Sequence, residues 1–203
     1  MDCQTGSALL ALPGIASSAD DLTLSADPTL TDLYRYFPAS ADEPRIETIS
    51  AEAMPEPYRG LLVHTHHMTV TVERFYDSPV DVSVLAVARE GHFYCRKIML
   101  SLRSTQQVVQ FGIVEINLDV LDPIVRAQIE EQKTPLGRVL IQNNVLRNVR
   151  PVQFFRAFPT PTMCEWFVMT HAEPLYGRVG VITTNHEPAI KVAEILAPIP
   201  AKS

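Results

Sequence analysis

The chain has 203 residues, 46% of them hydrophobic and 20% charged, with a formal net charge of −6. This is ordinary globular composition, long enough for one sizeable domain with its own core. It excludes a broad basic field for nucleic acid or an anionic membrane, so an anionic ligand would have to be met by a few local cations.

Cys3, Cys95 and Cys164 are widely spaced and odd in number, which fits reduced thiols in a cytoplasm better than a disulfide framework. No apolar run is long enough to span a bilayer. Asp2, with no early Lys or Arg, makes a poor signal peptide. Residues 1–26 are rich in Ser, Ala and Asp and are expected to lie loosely on the surface. "DPTLTDLYRYF" reads as a short helix with Asp27 as N-cap and Pro28 at the first helical position. Residues 38–59 are proline-rich and acidic, as in an extended connector. The expected organisation is therefore an N-terminal segment, 1–60, and a compact domain, 61–203.

Within that domain 80–88, 92–102 and 106–116 are β-rich runs separated by short turns, which predicts an antiparallel meander. "LDPIVRAQIEEQ" follows as a helix capped by Asp122 with Pro123 behind it. Residues 144–158, 176–184 and 188–196 return to strand, the last two joined by a turn at Asn185-His186-Glu187. A large antiparallel sheet interrupted by helices is an α+β layer arrangement.

Between the two sets of strands stands "QKTPLGRVLIQNN". Thr134 as N-cap and Pro135 as first residue place Leu136 second in a helix, with its backbone N–H unpaired by position. Gly137 lets another group come close to the backbone. A helix start of this kind suits an anion, and equally suits a plain capped helix. Two charges sharpen the choice. Glu194 shares strand parity with Ile190, Val192 and Leu196, and Arg96 with Tyr94, Ile98, Leu100 and Leu102. Each is a charge in an apolar row. It must be paired, sit at an edge, or serve a ligand.

"KTPLGR", "HMT", "RKIML", "LYGR" and the late glutamate of "VAEILAP", in that order and spacing, resemble the chorismate pyruvate-lyase family over roughly Leu61 to Pro200. The resemblance implies a single α+β domain, an antiparallel sheet with helical flaps over a buried ligand. It implies cofactor- and metal-independent cleavage of chorismate to 4-hydroxybenzoate, a quinone precursor, and pyruvate. It assigns Arg96 and the backbone N–H groups of Met68 and Leu136 to the ring carboxylate, and Glu194 to the ring hydroxyl. The family's next strand carries an arginine where this one has Gly112, and His67 stands where a small polar or acidic residue is usual. A second cation for the enolpyruvyl carboxylate would come from Arg138 or Arg178. "MTVTVERF" alternates like a strand, whereas the resemblance implies a helix there.

Other features are weaker. His64, His66 and His67 lack the spacing and third partner of a zinc site. Cys95 suits a buried filler better than a reactive thiol, and Trp166 suits core or flap packing. The same fold, by the same resemblance, serves as the effector-binding domain of bacterial transcription regulators. A protein of this fold that binds an aromatic carboxylate without turnover is therefore the alternative to the lyase. The first 60 residues are too short, acidic and proline-rich for a winged DNA-binding domain, so no nucleic-acid partner is expected.

Overall fold

The computed structural model describes residues 27–199, so Cys3 and the surface segment expected over 1–26 lie outside them. The β-rich runs pair into one antiparallel sheet of seven strands in the order β1-β5-β6-β7-β4-β3-β2. The strands are β1 (Arg45–Ile49), β2 (Val80–Glu90), β3 (Phe93–Leu102), β4 (Val108–Asn117), β5 (Arg147–Phe158), β6 (Leu175–Thr184) and β7 (Glu187–Leu196). The predicted meander is β2-β3-β4, and β7 closes against β4. Asn185 and His186 make the β6–β7 turn, both at positive φ (49° and 71°), as a two-residue hairpin loop requires.

Helices cover both faces. α1 (Leu30–Tyr34) and α6 (Pro161–Trp166) supply residues to one core with Phe111, Ile113, Phe155 and Ile195. On the opposite face α2 (Tyr58–Leu62), α3 (Met68–Tyr76), α4 (Pro123–Glu130) and α5 (Leu136–Gln142) pack over Tyr94, Ile98, Leu100, Val114 and Val192. The central strands are buried on both sides, in keeping with their near-continuous apolar sequence. The described residues thus form a single α+β domain with helical flaps. Among them no helix is long and apolar enough to cross a membrane.

Several local expectations differ from what forms. The cap of α1 is Thr29, in a reciprocal capping box with Asp32. Asp27 instead pairs with Arg150 at 2.7 Å. The proline-rich connector contains β1, an exposed edge strand against β5. "MTVTVERF" is helical because Met68, Thr69 and Val72 fall on one buried stripe, and Asp77 ends it with φ 48°. Asp122 caps α4 as expected, its Oδ1 accepting from the Ile124 N–H at 2.8 Å. Thr134 caps nothing: Pro135 is the N-cap of α5 and Leu136 its first residue, with no side-chain capping bond.

Candidate functional site

Arg96 and Glu194 come together because each sits on the face of its strand that α2–α5 cover, as their parity predicts. Arg96 on β3 pairs in register with Val114 of β4. Glu194 on β7 lies between Gly112 of β4 and Arg178 of β6. Above this floor the starts of α3 and α5 meet. A side-chain carbon on Gly137 would lie 3.0 Å from Thr69 Oγ1 and 3.3 Å from His67 Cβ. The group for which Gly137 makes room is therefore the neighbouring helix.

Under these two helix starts is a cavity of about 50 Å³. Its lining includes Met68, Arg96, Leu136 and Glu194, together with Gln110 and Gly112. Met68 and Leu136 are both first residues of their helices, and neither helix has a side-chain cap. Their N–H groups have no acceptor within the helix by position. Around the polar groups Ile98, Leu100, Ile182 and Val192 supply apolar walls. Cavities that take up a benzene ring measure about 150 Å³, so an aromatic ligand requires outward movement of α3, α5 or His67.

The guanidinium of Arg96 is 1% exposed and has no ion-pair partner among the described residues. One terminal nitrogen donates to the Ile129 carbonyl at 3.3 Å, and Nε has no acceptor. The Tyr94 hydroxyl is the polar group that faces the guanidinium and favours its charged form, but the approach falls outside hydrogen-bond geometry, which leaves both the hydroxyl and Arg96 Nε without a partner. Burial pulls the Arg96 pKa down, but an arginine keeps its proton even so. Gln110, 3% exposed, also faces the cavity with Oε1 unpartnered. A fixed cation with a free N–H suits a carboxylate, and the free Gln110 carbonyl on the same lining can accept from a ligand hydroxyl.

Glu194 is differently placed. Its Oε2 accepts from Arg178 Nε at 2.7 Å. Arg178, 1% exposed, also donates to the Leu62 and His64 carbonyls at 2.9 Å each. Arg178 therefore ties the segment before α3 to the sheet and fixes Glu194. Arg138 points away from the cavity and pairs with Glu73 of α3, whose carboxylate also accepts from the Val80 N–H at 2.9 Å. Both arginines offered by the sequence for a second carboxylate are thus engaged with carboxylates of the chain itself.

The remaining sequence candidates take structural positions. His64 Nε2 is 2.6 Å from the Leu61 carbonyl, and His67 Nε2 accepts from Arg147 Nε. Among the described residues no three His, Cys, Asp or Glu side chains are grouped to hold a metal ion. Cys95 is buried on the other sheet face. Burial and then the Glu115 charge push its thiol up to about 12, so the reactive thiolate is disfavoured. Trp166 stacks on Phe111 at 5.3 Å, also on that face. The sequence reading missed Gln110 and Arg147. Gln110 could have been found by the parity that exposed Arg96. Arg147 shares strand parity with Val145 and Val149, so it too is a charge in an apolar row.

No protein-family model matches the chain, and no curated protein matches it. Solved structures do. PhnF from Mycobacterium smegmatis superposes with a TM-score of 0.51 at 8% identity, over 69% of this chain and 71% of that one. Its effector domain, solved separately, gives 0.51 at 9% identity, over 65% of this chain and 88% of its own. At such identities the likeness is one of fold: the described residues of this chain share the α+β architecture of the PhnF effector domain.

Proposed function

We propose that the chain binds a small aromatic carboxylate in the cavity beneath α3 and α5. The ring carboxylate meets Arg96 and the N–H groups of Met68 and Leu136, and the far end of the ring points towards Glu194. One observation carries this reading: Arg96 is almost wholly buried, lines the cavity, and lacks both a carboxylate partner and an acceptor for Nε. A buried charge without a counter-charge is costly, and a bound carboxylate removes that cost with a bidentate contact. That a domain of similar fold is described as an effector domain supports binding, without turnover, as the first reading.

Calorimetric titration with 4-hydroxybenzoate tests it. Wild type should bind, and Arg96→Ala should lose about 2–4 kcal/mol of affinity. Arg96→Lys should recover little, because one ammonium does not copy the fork. Wild-type affinity in Arg96→Ala would overturn the assignment.

The second reading is the lyase, supported by the motif resemblance and by the Glu194 carboxylate at the cavity wall. The chemistry asks little of the protein. The C3–O bond of chorismate breaks, the C4 hydrogen leaves as a proton, and the ring becomes aromatic. The enolpyruvate released takes up a proton to give pyruvate. Arg96 would hold the ring, the apolar walls would exclude water, and Glu194 would orient the C4 hydroxyl or accept the C4 proton. Incubation with chorismate, followed by assay of pyruvate and 4-hydroxybenzoate, separates the readings. If turnover is found, Glu194→Gln tells orientation from proton removal. The first keeps much of the rate and the second loses on the order of 10²–10⁴.

A further inference from the structure

The sheet beneath the cavity gives it a scale. On the face that α2–α5 cover, Arg96, Val114 and Val192 form one rung across β3, β4 and β7. Ile98, Gly112 and Glu194 form the next, and Leu100, Gln110 and Leu196 the third. Successive rungs on one face are two residues apart, or about 6.6 Å. The middle rung has no side chain on β4. A side-chain carbon on Gly112 would lie 3.2 Å from the Ala193 carbonyl oxygen and 3.4 Å from Ile98 Cδ1. A ring whose carboxylate is held at Arg96 therefore lies over bare backbone, and its far end comes between Glu194 and Gln110.

Both groups at that end are acceptors. Glu194 Oε2 is taken by Arg178 Nε, and Oε1 has no donor among the described residues. Gln110 is 3% exposed and its Oε1 is buried without a partner. Its neighbours in the rung are leucines, which have nothing to donate. A buried carbonyl left without a donor is destabilising. A single hydroxyl has one hydrogen to give, so it satisfies Glu194 or Gln110 and leaves the other bare.

We propose that Gln110 makes the cavity selective for aromatic acids with two hydrogen-bond donors at the end opposite the carboxylate. One donor goes to Glu194 and the other to Gln110 Oε1. An amino group carries both on one atom, and two adjacent hydroxyls carry them on neighbouring ring positions. This rests on the binding reading above and narrows it: 4-hydroxybenzoate enters the site but leaves one acceptor unmet.

The test is titration calorimetry on the full chain with 4-hydroxybenzoate, 4-aminobenzoate and 3,4-dihydroxybenzoate. Wild type should bind a two-donor acid at least ~5-fold more tightly than 4-hydroxybenzoate. A gain for the amine places both acceptors around one substituent, and a gain for the diol places them at adjacent positions. Gln110→Met keeps the length of the side chain and removes the carbonyl. It should erase the gain, keep 4-hydroxybenzoate within about 2-fold, and melt no lower than wild type, because an unpaired polar group leaves an apolar rung. Gln110→Leu repeats the measurement if the first variant fails to fold. On wild type itself, 4-(methylamino)benzoate and 4-hydroxy-3-methoxybenzoate each lack one of the two donors and should fall back to 4-hydroxybenzoate, which decides the matter if neither variant folds. A gain that survives in these variants or in the blocked ligands overturns the inference. So does a folded Gln110→Met protein that melts well below wild type, since the amide would then be bonded within the chain. Two-donor acids that bind no better than 4-hydroxybenzoate overturn it too, and leave the aromatic-acid reading standing. Wild type that binds none of the three acids overturns both.

Discussion

Arg96 and Lys97 are neighbours on β3, and each is a cation buried to within a few per cent of complete. They point to opposite faces of the sheet and have opposite surroundings. Lys97 Nζ meets both oxygens of Asp42, at 2.6 and 2.8 Å, and Ser40 Oγ at 2.6 Å. The rings of Tyr34 and Phe37 lie about 5 Å from it, and the Tyr34 hydroxyl donates to the Asp42 carbonyl at 2.8 Å. Arg96 has one long bond to a helix carbonyl, a free Nε and a cavity in front of it. Burial alone does not distinguish structural charges from functional ones. The difference lies in whether the chain supplies the counter-charge, and on the Lys97 side it does so from the segment that joins α1 to β1.

The widest test of this contrast removes each cation in turn. Lys97→Met leaves Asp42 buried and uncompensated, and should cost about 3–5 kcal/mol. Arg96→Met removes a charge that lacks a partner, and should leave stability within about 1 kcal/mol of wild type or raise it. Ligand binding should behave in reverse, lost in Arg96→Met and retained in any Lys97→Met protein that stays folded. Urea unfolding of the two variants measures the difference. Equal losses would mean that Arg96 is as structural as Lys97.

Two glycines repeat the contrast in packing. Gly177 of β6 faces the Lys97 side, where a side-chain carbon would fall 2.5 Å from Phe155 Cζ and 2.6 Å from the Glu194 carbonyl oxygen. One of those atoms is backbone, so Gly177→Ala should destabilise by about 1–3 kcal/mol through overpacking. At Gly137 the nearest atom is the Thr69 hydroxyl, at 3.0 Å, a side-chain atom of the neighbouring helix rather than backbone. Gly137→Val should therefore part α5 from α3, so that aromatic-acid affinity falls by more than stability does. The pair is scored by melting temperature and titration together. A Gly137→Val protein that binds as wild type would show that the spacing of the helix starts is not part of the site.

Acid pH probes the side covered by α2–α5 more gently. Burial, and then the charges of Arg147 and Arg178, push His67 from the ordinary 6.5 down to about 4. Between those values the unfolded chain holds a proton that the folded chain does not. Stability is therefore complete above 6.5 and declines as pH falls towards 4. His64, lowered chiefly by burial and then by Arg178, acts in the same direction. His67→Asn should make the decline shallower, seen as a smaller fall in urea midpoint between about pH 7.5 and about pH 5. Parallel curves would remove His67 from the titration.

Much of this asymmetry was legible in the sequence, and its gaps have physical causes. The strand meander, the cap at Asp122 and the shared face of Arg96 and Glu194 all follow from period and spacing, which are local properties. β1 was hidden because an exposed edge strand needs no apolar alternation. The helix at Met68 was ambiguous because nine residues fit either period. What sequence could not give was pairing. Arg178 and Arg138 look as available as Arg147 until the fold brings Glu194 and Glu73 to them from elsewhere in the chain.

The smallest expected effect concerns the helix starts themselves. Asp122 caps α4 with a 2.8 Å bond to the Ile124 N–H, and Asp122→Ala should cost about 1 kcal/mol. Thr134 has the residue type of a cap and makes no capping bond, since Pro135 occupies that position with a backbone φ of −55° and ψ of 138°. Thr134→Ala should therefore change stability by no more than about 0.3 kcal/mol, within the range of ordinary surface changes. The two variants, compared by urea midpoint, separate a helix start closed by its own side chain from one left open. The helices with Met68 and Leu136 at their heads are of the second kind, and both stand over Arg96 in the cavity. A loss of about 1 kcal/mol in Thr134→Ala, matching that in Asp122→Ala, would mean that the hydroxyl does cap α5 in solution. The Leu136 N–H would then sit within a closed turn, and Arg96 and α3 alone would be left to hold the carboxylate.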